Sequence, residues 1–201
     1  MGNRMKIYIA GPDLFYSDWP QRASRAKTLC ADYGLIAVLP VPDQVLTGPG
    51  VTESSDAEAA SRVFQSCRGA VRKADGVIAN LTPFRGSEPD SGTVTECAMA
   101  YVWGKPVIGY FNGPALPVPD DADDDGRVLA QDGSWLEQFG LTHNVMLHGV
   151  CLEIAPSLEQ AVVLMASALQ AAARITPRER DVGFSWNEAI QSMKRNKDQQ
   201  K

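Results

Sequence analysis

The sequence predicts an α/β fold, a doubly wound parallel sheet of five strands with helices on both faces, in a single domain. Short apolar runs alternate with helix-like segments along most of the chain, which is the pattern of parallel sheets. The 201 residues are 44% hydrophobic and 21% charged, ordinary values for one domain with its own core. No apolar run approaches the length of about 18 residues that a membrane-spanning helix needs.

Five runs of β-branched and apolar residues are the predicted strands. A Gly or Pro lies at or beside an end of each run, where a strand would stop. The runs are Lys6–Ala10, Leu35–Leu39, Gly76–Leu81, Pro106–Phe111 and Val150–Ala155. Because the second run is apolar at every position, we expect that strand to be buried on both faces.

The segments between these runs carry helix signals. Asp18 stands just before Trp19-Pro20, apolar residues follow at intervals of three to four, and Gly34 ends the pattern. Three more helices are predicted, from about Ser55 to Lys73, from Glu96 to Trp103 and from Ser157 to about Ala173.

Two regions interrupt the alternation of strands and helices. Residues 112–142 contain three prolines and the acidic run Asp120–Asp125, so we expect a solvated loop there. We assign residues 1–173 to the folded domain and 174–201 to a polar C-terminal tail. Within the tail, residues 186–194 could form a short helix that docks through Trp186.

Charge, cysteine content and motifs limit the classes of function. A net charge of -5 disfavours nucleic acid and anionic membranes, which attract basic surfaces. The start of the chain has no apolar signal core, so we expect a cytoplasmic protein. The four cysteines have no metal-binding spacing and are expected to be reduced thiols. Neither a G-x-G-x-x-G nor a Walker-type loop occurs, which disfavours dinucleotide and NTP binding. The spacing of His143 and His148 does not suit a metal pair, and we expect no cofactor and no metal.

The loop after the third predicted strand concentrates charged side chains at the edge where parallel sheets bind ligands. One interpretation is structural. Thr93 and Glu96 have the spacing of a capping box, and Asp90 can form an Asx turn. Arg85 can pair with Glu88 or Asp90. The other interpretation is chemical, because a carboxylate beside a second acid can attack a sugar carbon and an arginine can bind a phosphate.

Four segments together resemble the nucleoside 2-deoxyribosyltransferase family. They are Lys6–Pro12 (KIYIAGP), Ala74–Gly86 (ADGVIANLTPFRG), Glu88–Glu96 (EPDSGTVTE) and Phe139–Leu147 (FGLTHNVML). The likeness covers residues 6–173 and leaves out the tail. It implies a five-stranded flavodoxin-like sheet and a two-step displacement at C1′ of a 2′-deoxynucleoside.

The resemblance also implies roles for individual residues. Glu96 would be the nucleophile, Tyr8 would position it, and Asp90 would complete the catalytic set. Asp90 and Asn144 would hold the 5′-hydroxyl, with the asparagine supplied by a neighbouring subunit, and Phe15 would lie against the base. Further substrate-binding candidates are Gly11, Phe84, Arg85, Gly92 and Met146. The partners would be a deoxynucleoside, a free nucleobase and further copies of the chain, as a dimer or a trimer of dimers.

The sequence departs from the family pattern at Cys67. Some members have an aspartate there that contacts or protonates the base, and a thiol is a poor acid for that task. Asp43, which follows the second predicted strand, is the alternative substrate-binding candidate for this role.

Two other functions compete with base transfer. An N-glycoside hydrolase acting on a nucleoside or its 5′-monophosphate shares the chemistry as far as the glycosyl-enzyme. The Gly11–Phe15 loop disfavours a 5′-phosphate, since it contains Asp13 and no Ser, Arg or Lys. A non-catalytic flavodoxin-like ligand-binding module is the other competing function.

Overall fold

The computed structural model describes residues 4–40, 56–111, 128, 133–135, 137, 139–173 and 186. Strands and helices alternate along these ranges. In chain order they are β1 (Lys6–Ala10), a short 3-10 helix (Pro12–Phe15), α1 (Trp19–Asp32), β2 (Ile36–Val38), α2 (Asp56–Lys73), β3 (Gly76–Asn80), α3 (Ser91–Val102), β4 (Val107–Tyr110), α4 (Val145–Val150), β5 (Glu153–Ala155) and α5 (Leu158–Ala173).

The strands form one parallel sheet in the order β2-β1-β3-β4-β5. Tyr8 of β1 pairs with Val38 on one side and with Val77 on the other. From β1 the chain adds β2 on one side of the sheet, and it then adds β3, β4 and β5 on the other side, so the strand order reverses between β1 and β3. Open α/β sheets bind ligands in the crevice beyond the carboxyl ends of such a pair. The predicted fold class is confirmed.

Side chains of each strand alternate between the two faces of the sheet, so β1 contributes to two cores. Ile7 and Ile9 pack with the buried side chains of α1 and α5 on one face. Tyr8 and Ala10 pack with those of α2 and α3 on the other. Residues directed to this second face can therefore reach side chains of α3, which is how the fold positions the candidate site.

Helix α1 ends as its sequence predicts. The Leu35 N–H donates to the Cys30 carbonyl at 2.8 Å, and the Gly34 N–H donates to the Ala31 carbonyl at 3.0 Å. Gly34 has φ +73°, a conformation that glycine adopts without steric cost. This turn directs the chain from α1 into β2.

Two predicted strands differ from those observed. The fifth is shorter than Val150–Ala155, because Val145–Val150 form α4. Asn144 caps that helix by accepting a hydrogen bond from the Met146 N–H at 2.9 Å. The second strand, β2, lies at the edge of the sheet and its residues are all partly exposed. The prediction that it is buried on both faces is therefore wrong.

Trp186 connects the tail to the domain. Its indole N–H donates to the Gly104 carbonyl at 2.9 Å, and its ring packs against the core that α1 and α5 share. The expected docking through this residue is confirmed. The other tail residues and the acidic run at 120–125 lie outside the described residues, so the domain boundary after residue 173 stays a prediction.

Three further properties bear on function. Among the described helices, none is long and apolar enough to cross a membrane. All four cysteines lie in the described part of the chain and are unpaired, with Cys30 and Cys97 buried. In the same ranges, no three His, Cys, Asp or Glu side chains come together as metal ligands.

Candidate active site

Asp90 fixes the start of α3. Its Oδ2 atom accepts hydrogen bonds from the Thr93 N–H at 2.9 Å and from the Thr93 hydroxyl at 3.0 Å. The helix therefore begins at Ser91, five residues before the predicted start at Glu96. The capping-box interpretation of Thr93 and Glu96 is wrong, since Asp90 is the N-cap and Glu96 lies in the second turn.

Glu96 is held by a tyrosine from the sheet. The Tyr8 hydroxyl donates to Glu96 Oε1 at 2.7 Å. Tyr8 is completely buried in the core between the sheet and helices α2 and α3. Its hydroxyl therefore fixes the direction of the half-buried carboxylate.

The surroundings of Glu96 raise the pKa of its carboxyl from 4.5 to about 7. Burial is the largest cause, because it disfavours the charged form, and the negative charge of Asp90 acts in the same direction. Hydrogen bonds from Tyr8 and Cys67 oppose this shift by stabilising the carboxylate. A carboxyl with a pKa near 7 is substantially ionised at neutral pH and can act as a nucleophile.

Glu96 faces a cavity of about 670 Å³ between α2 and α3. Gly92 and Cys67 line the same cavity, and most of its other lining side chains are small or apolar. A ligand of nucleoside size could therefore reach Glu96. The described residues that line the cavity are Ala59, Ala60, Val63, Phe64, Cys67, Arg68, Ser91, Gly92, Thr95, Glu96 and Met99.

Phe15, Phe84 and Arg85 form a separate cluster that does not line this cavity. The two phenylalanine rings stack with their centroids 5.5 Å apart. The Arg85 guanidinium lies 4.6 Å from the Phe84 centroid and 5.1 Å from that of Phe15. Arg85 therefore stacks on aromatic rings, and the predicted pairing with Glu88 or Asp90 is wrong.

Gly11 lies on the other side of the sheet edge, in a smaller cavity of about 390 Å³ that Asp13 and Asn80 also line. A Cβ atom at Gly11 would come within 2.8 Å of the Asn80 Cβ. The Asn80 amide donates to Asp13 at 3.0 Å, and Arg22 forms an ion pair with Asp13 at 2.9 Å. Glycine is thus required by the packing of the loop after β1.

Asn144 and Met146, at the start of α4, are also absent from the cavity that contains Glu96. The Asn144 side-chain amide donates to Glu137 at 2.9 Å, and Met146 is 75% exposed. The neighbouring His143 is buried and hydrogen-bonded through Nε2 to the Leu81 carbonyl at 3.1 Å, which ties this segment to the exit of β3. Asp43 lies outside the described residues.

Cys67 also belongs to the site. The sequence pattern alone does not predict that it is a partner of Glu96. Its thiol interacts with both the Tyr8 hydroxyl and the Glu96 carboxylate. The sequence pattern distinguishes Cys67 only as a departure from the family. Its position on the inner face of α2, toward α3, was the signal that could have revealed the contact.

The family model described as nucleoside 2-deoxyribosyltransferase matches residues 7–146, which include Tyr8, Asp90, Glu96 and Asn144. The chain belongs to this family. Members of the family act on small nucleosides and bases. No curated protein matches the sequence.

Solved structures of 2-deoxyribosyltransferases resemble the chain over most of its length. The 2-desoxiribosyltransferase of Leishmania mexicana is 25% identical, with a TM-score of 0.61 over 81% of this chain and 97% of that one. The 2-deoxyribosyltransferase of Bacillus psychrosaccharolyticus is 20% identical, with a TM-score of 0.52 over 78% and 90%. The second similarity supports the fold alone.

Proposed function

We propose that this chain transfers a 2-deoxyribosyl group between nucleobases through a covalent glycosyl-enzyme intermediate on Glu96. The observation that carries the proposal is the 2.7 Å hydrogen bond that orients Glu96 in the wall of a nucleoside-sized cavity. Membership of the family supports the same reaction class. In this proposal Tyr8 positions the nucleophile and Asp90 binds the 5′-hydroxyl.

The first step forms one bond and breaks one. An ionised Glu96 oxygen attacks C1′, and the glycosidic C1′–N bond breaks with its electron pair leaving on the base nitrogen, which takes up a proton from solvent. The transition state resembles an oxocarbenium ion, so the negative charge of Glu96 stabilises it as the new bond forms. Tyr8 keeps the carboxylate in place during the attack.

The second step reverses the first with a different base. A nitrogen of the incoming base attacks C1′, the C1′–O bond to Glu96 breaks, and the base loses its proton to solvent. Two inversions give net retention at C1′. Because a 2′-hydroxyl disfavours the sugar cation and needs space beside Glu96, ribonucleosides are expected to be poor substrates.

The proposed assembly is a homo-oligomer in which subunits share sites. Asn144 and Met146 do not line the cavity that contains Glu96 of the same chain. In this proposal another copy of the chain supplies them to the site. Helices α3 and α4 also expose apolar side chains, including Val102 at 78% and Met146 at 75%. Exposed apolar patches of this kind are typical of subunit interfaces.

Incubation with 2′-deoxyinosine, with and without free adenine, tests the reaction. Formation of 2′-deoxyadenosine is the expected result. Hypoxanthine release that adenine does not change would instead indicate the competing N-glycoside hydrolase. Glu96→Gln should abolish either reaction, and Glu88→Gln is the matched control, because Glu88 is an exposed carboxylate of the preceding loop outside the cavity.

A further inference from the structure

Arg68 lines the cavity beside the nucleophile and has no role in the chemistry above. It follows Cys67 on α2 and is the one positively charged residue in the described lining of the cavity. Its side chain is exposed and makes no hydrogen bond or ion pair with any described residue, Glu96 included. A guanidinium in this state has its full set of donors available to a ligand.

Among the described residues that line the cavity, no other charged group could stabilise a departing base. Glu96 is assigned to the attack on the sugar, and the Cys67 thiol is engaged with Glu96 and Tyr8. As the C1′–N bond breaks, its electron pair moves onto the base, so a cation at the edge of the base would lower the energy of the transition state. Arg68 is placed to supply that cation.

The geometry points to Arg68 as the residue that binds the base and selects 6-oxopurines, guanine and hypoxanthine. The inference rests on the proposed function and names its substrate class. An arginine fork donates two parallel hydrogen bonds to O6 and N7 of such a purine. Adenine has an amino group in place of O6. One N–H of the arginine would then face an N–H of the base, and no hydrogen bond could form there. Charge released from the glycosidic nitrogen spreads through the imidazole ring onto N7, where the guanidinium stabilises it.

The rest of the wall suits a two-ring base. Phe64 lies one helical turn before Arg68 on the same face of α2 and is 47% exposed, so its ring is available to cover a base. Met99 lines the cavity from α3, and Ala59 and Ala60 leave space near the beginning of α2. A purine would bury more apolar surface here than a single-ring base.

The test measures kcat/KM for 2′-deoxyinosine and 2′-deoxyadenosine in the complete protein and its variants. The wild type should prefer deoxyinosine. Arg68→Gln should lower the ratio of the two values about tenfold or more, because a glutamine amide pairs with N6 and N7 of adenine. Arg72→Gln is the control, since Arg72 is an exposed arginine of the same helix outside the cavity, and its ratio should match the wild type.

A binding measurement separates this inference from the proposed function. Calorimetry with hypoxanthine should show weaker binding to the Glu96→Gln, Arg68→Gln double variant than to Glu96→Gln alone. An active Arg68→Gln enzyme with an unchanged substrate ratio, or a wild type that prefers pyrimidine deoxynucleosides, would overturn the role of Arg68 while the transfer reaction stands. A wild type inactive on all deoxynucleosides would contradict the proposed function, and hypoxanthine binding would still decide the role of Arg68.

Discussion

Tyr8 and Glu96 lie 88 positions apart in the chain and are joined by a 2.7 Å hydrogen bond between the sheet and α3. The bond requires that Tyr8 point to the face of β1 that α3 covers, and the alternation of side chains along the strand ensures this. A buried hydroxyl directed at a partly buried carboxylate controls both the position of the carboxylate and the pH at which it ionises.

Tyr8→Phe should move the acid limb of the pH profile of kcat/KM upward from its wild-type position near pH 7. Glu96 must be ionised to attack, and removing a donor that stabilises its carboxylate raises the pKa of Glu96 further. A hydrogen bond to a charged group contributes about 1.5–3 kcal/mol, which corresponds to roughly one to two pH units. Tyr110→Phe is the matched control, because Tyr110 packs on the opposite face. An unmoved limb in an active Tyr8→Phe enzyme would contradict this role.

Asp90→Asn should move the same limb in the opposite direction. The charge of Asp90 raises the pKa of Glu96, so its removal lets Glu96 ionise at lower pH. Asparagine caps helices as well as aspartate, which keeps α3 intact, and circular dichroism would verify this. A shift of the limb to higher pH would exclude the electrostatic coupling of these two carboxylates.

The sequence predicted most of the fold because local signals agreed with the global pattern. The turn at Gly34 and the alternation of apolar runs with helices are local features, and both are present in the structure. Helix α4 was missed because six residues span fewer than two turns and carry little periodicity. The exposure of β2 depends on its place at the edge of the sheet, which its own residues do not encode.

The site was harder to predict than the fold. The likeness to the family brought Tyr8 and Glu96 together, since no local pattern relates residues so far apart. The start of α3 was placed wrongly, because Thr93 and Glu96 imitate a capping box while Asp90 makes the actual cap. The contact of Cys67 with Glu96 depends on how α2 packs against α3, and residue patterns along one helix leave that undefined.

Glu96→Gln should stabilise the fold at pH 8 and leave its stability at pH 4 nearly unchanged. The folded pKa of about 7 exceeds the ordinary 4.5, so folding disfavours the ionised form. Below pH 4.5 Glu96 is protonated in both the folded and the unfolded chain, so its ionisation does not affect stability. Above pH 7 ionised Glu96 lowers the free energy of unfolding by about 1–3 kcal/mol. Urea unfolding at the two pH values measures the difference. Equal effects at both pH values would contradict a raised pKa.

Mixed oligomers test whether subunits share sites. Asn144→Ala should weaken activity without unfolding the chain, and Glu96→Ala should abolish it. After subunit exchange, a one-to-one mixture should recover about a quarter of wild-type activity, because a site that draws Glu96 from one chain and Asn144 from another is complete in one case of four. No recovery, with exchange verified by native mass spectrometry, would show that one chain supplies both residues.

Trapping the intermediate tests the role of Glu96 most directly. A 2-fluoro-2-deoxyribonucleoside should react in the first step and break down slowly in the second, because the electronegative fluorine destabilises the sugar cation. Peptide mass spectrometry should then find a fluorodeoxyribosyl group on Glu96, and the Glu88→Gln control should carry the same group on Glu96. Turnover of the natural deoxynucleoside by a protein whose Glu96 stays unmodified, or by the Glu96→Ala variant at a near-normal rate, would contradict a glycosyl-enzyme on this residue.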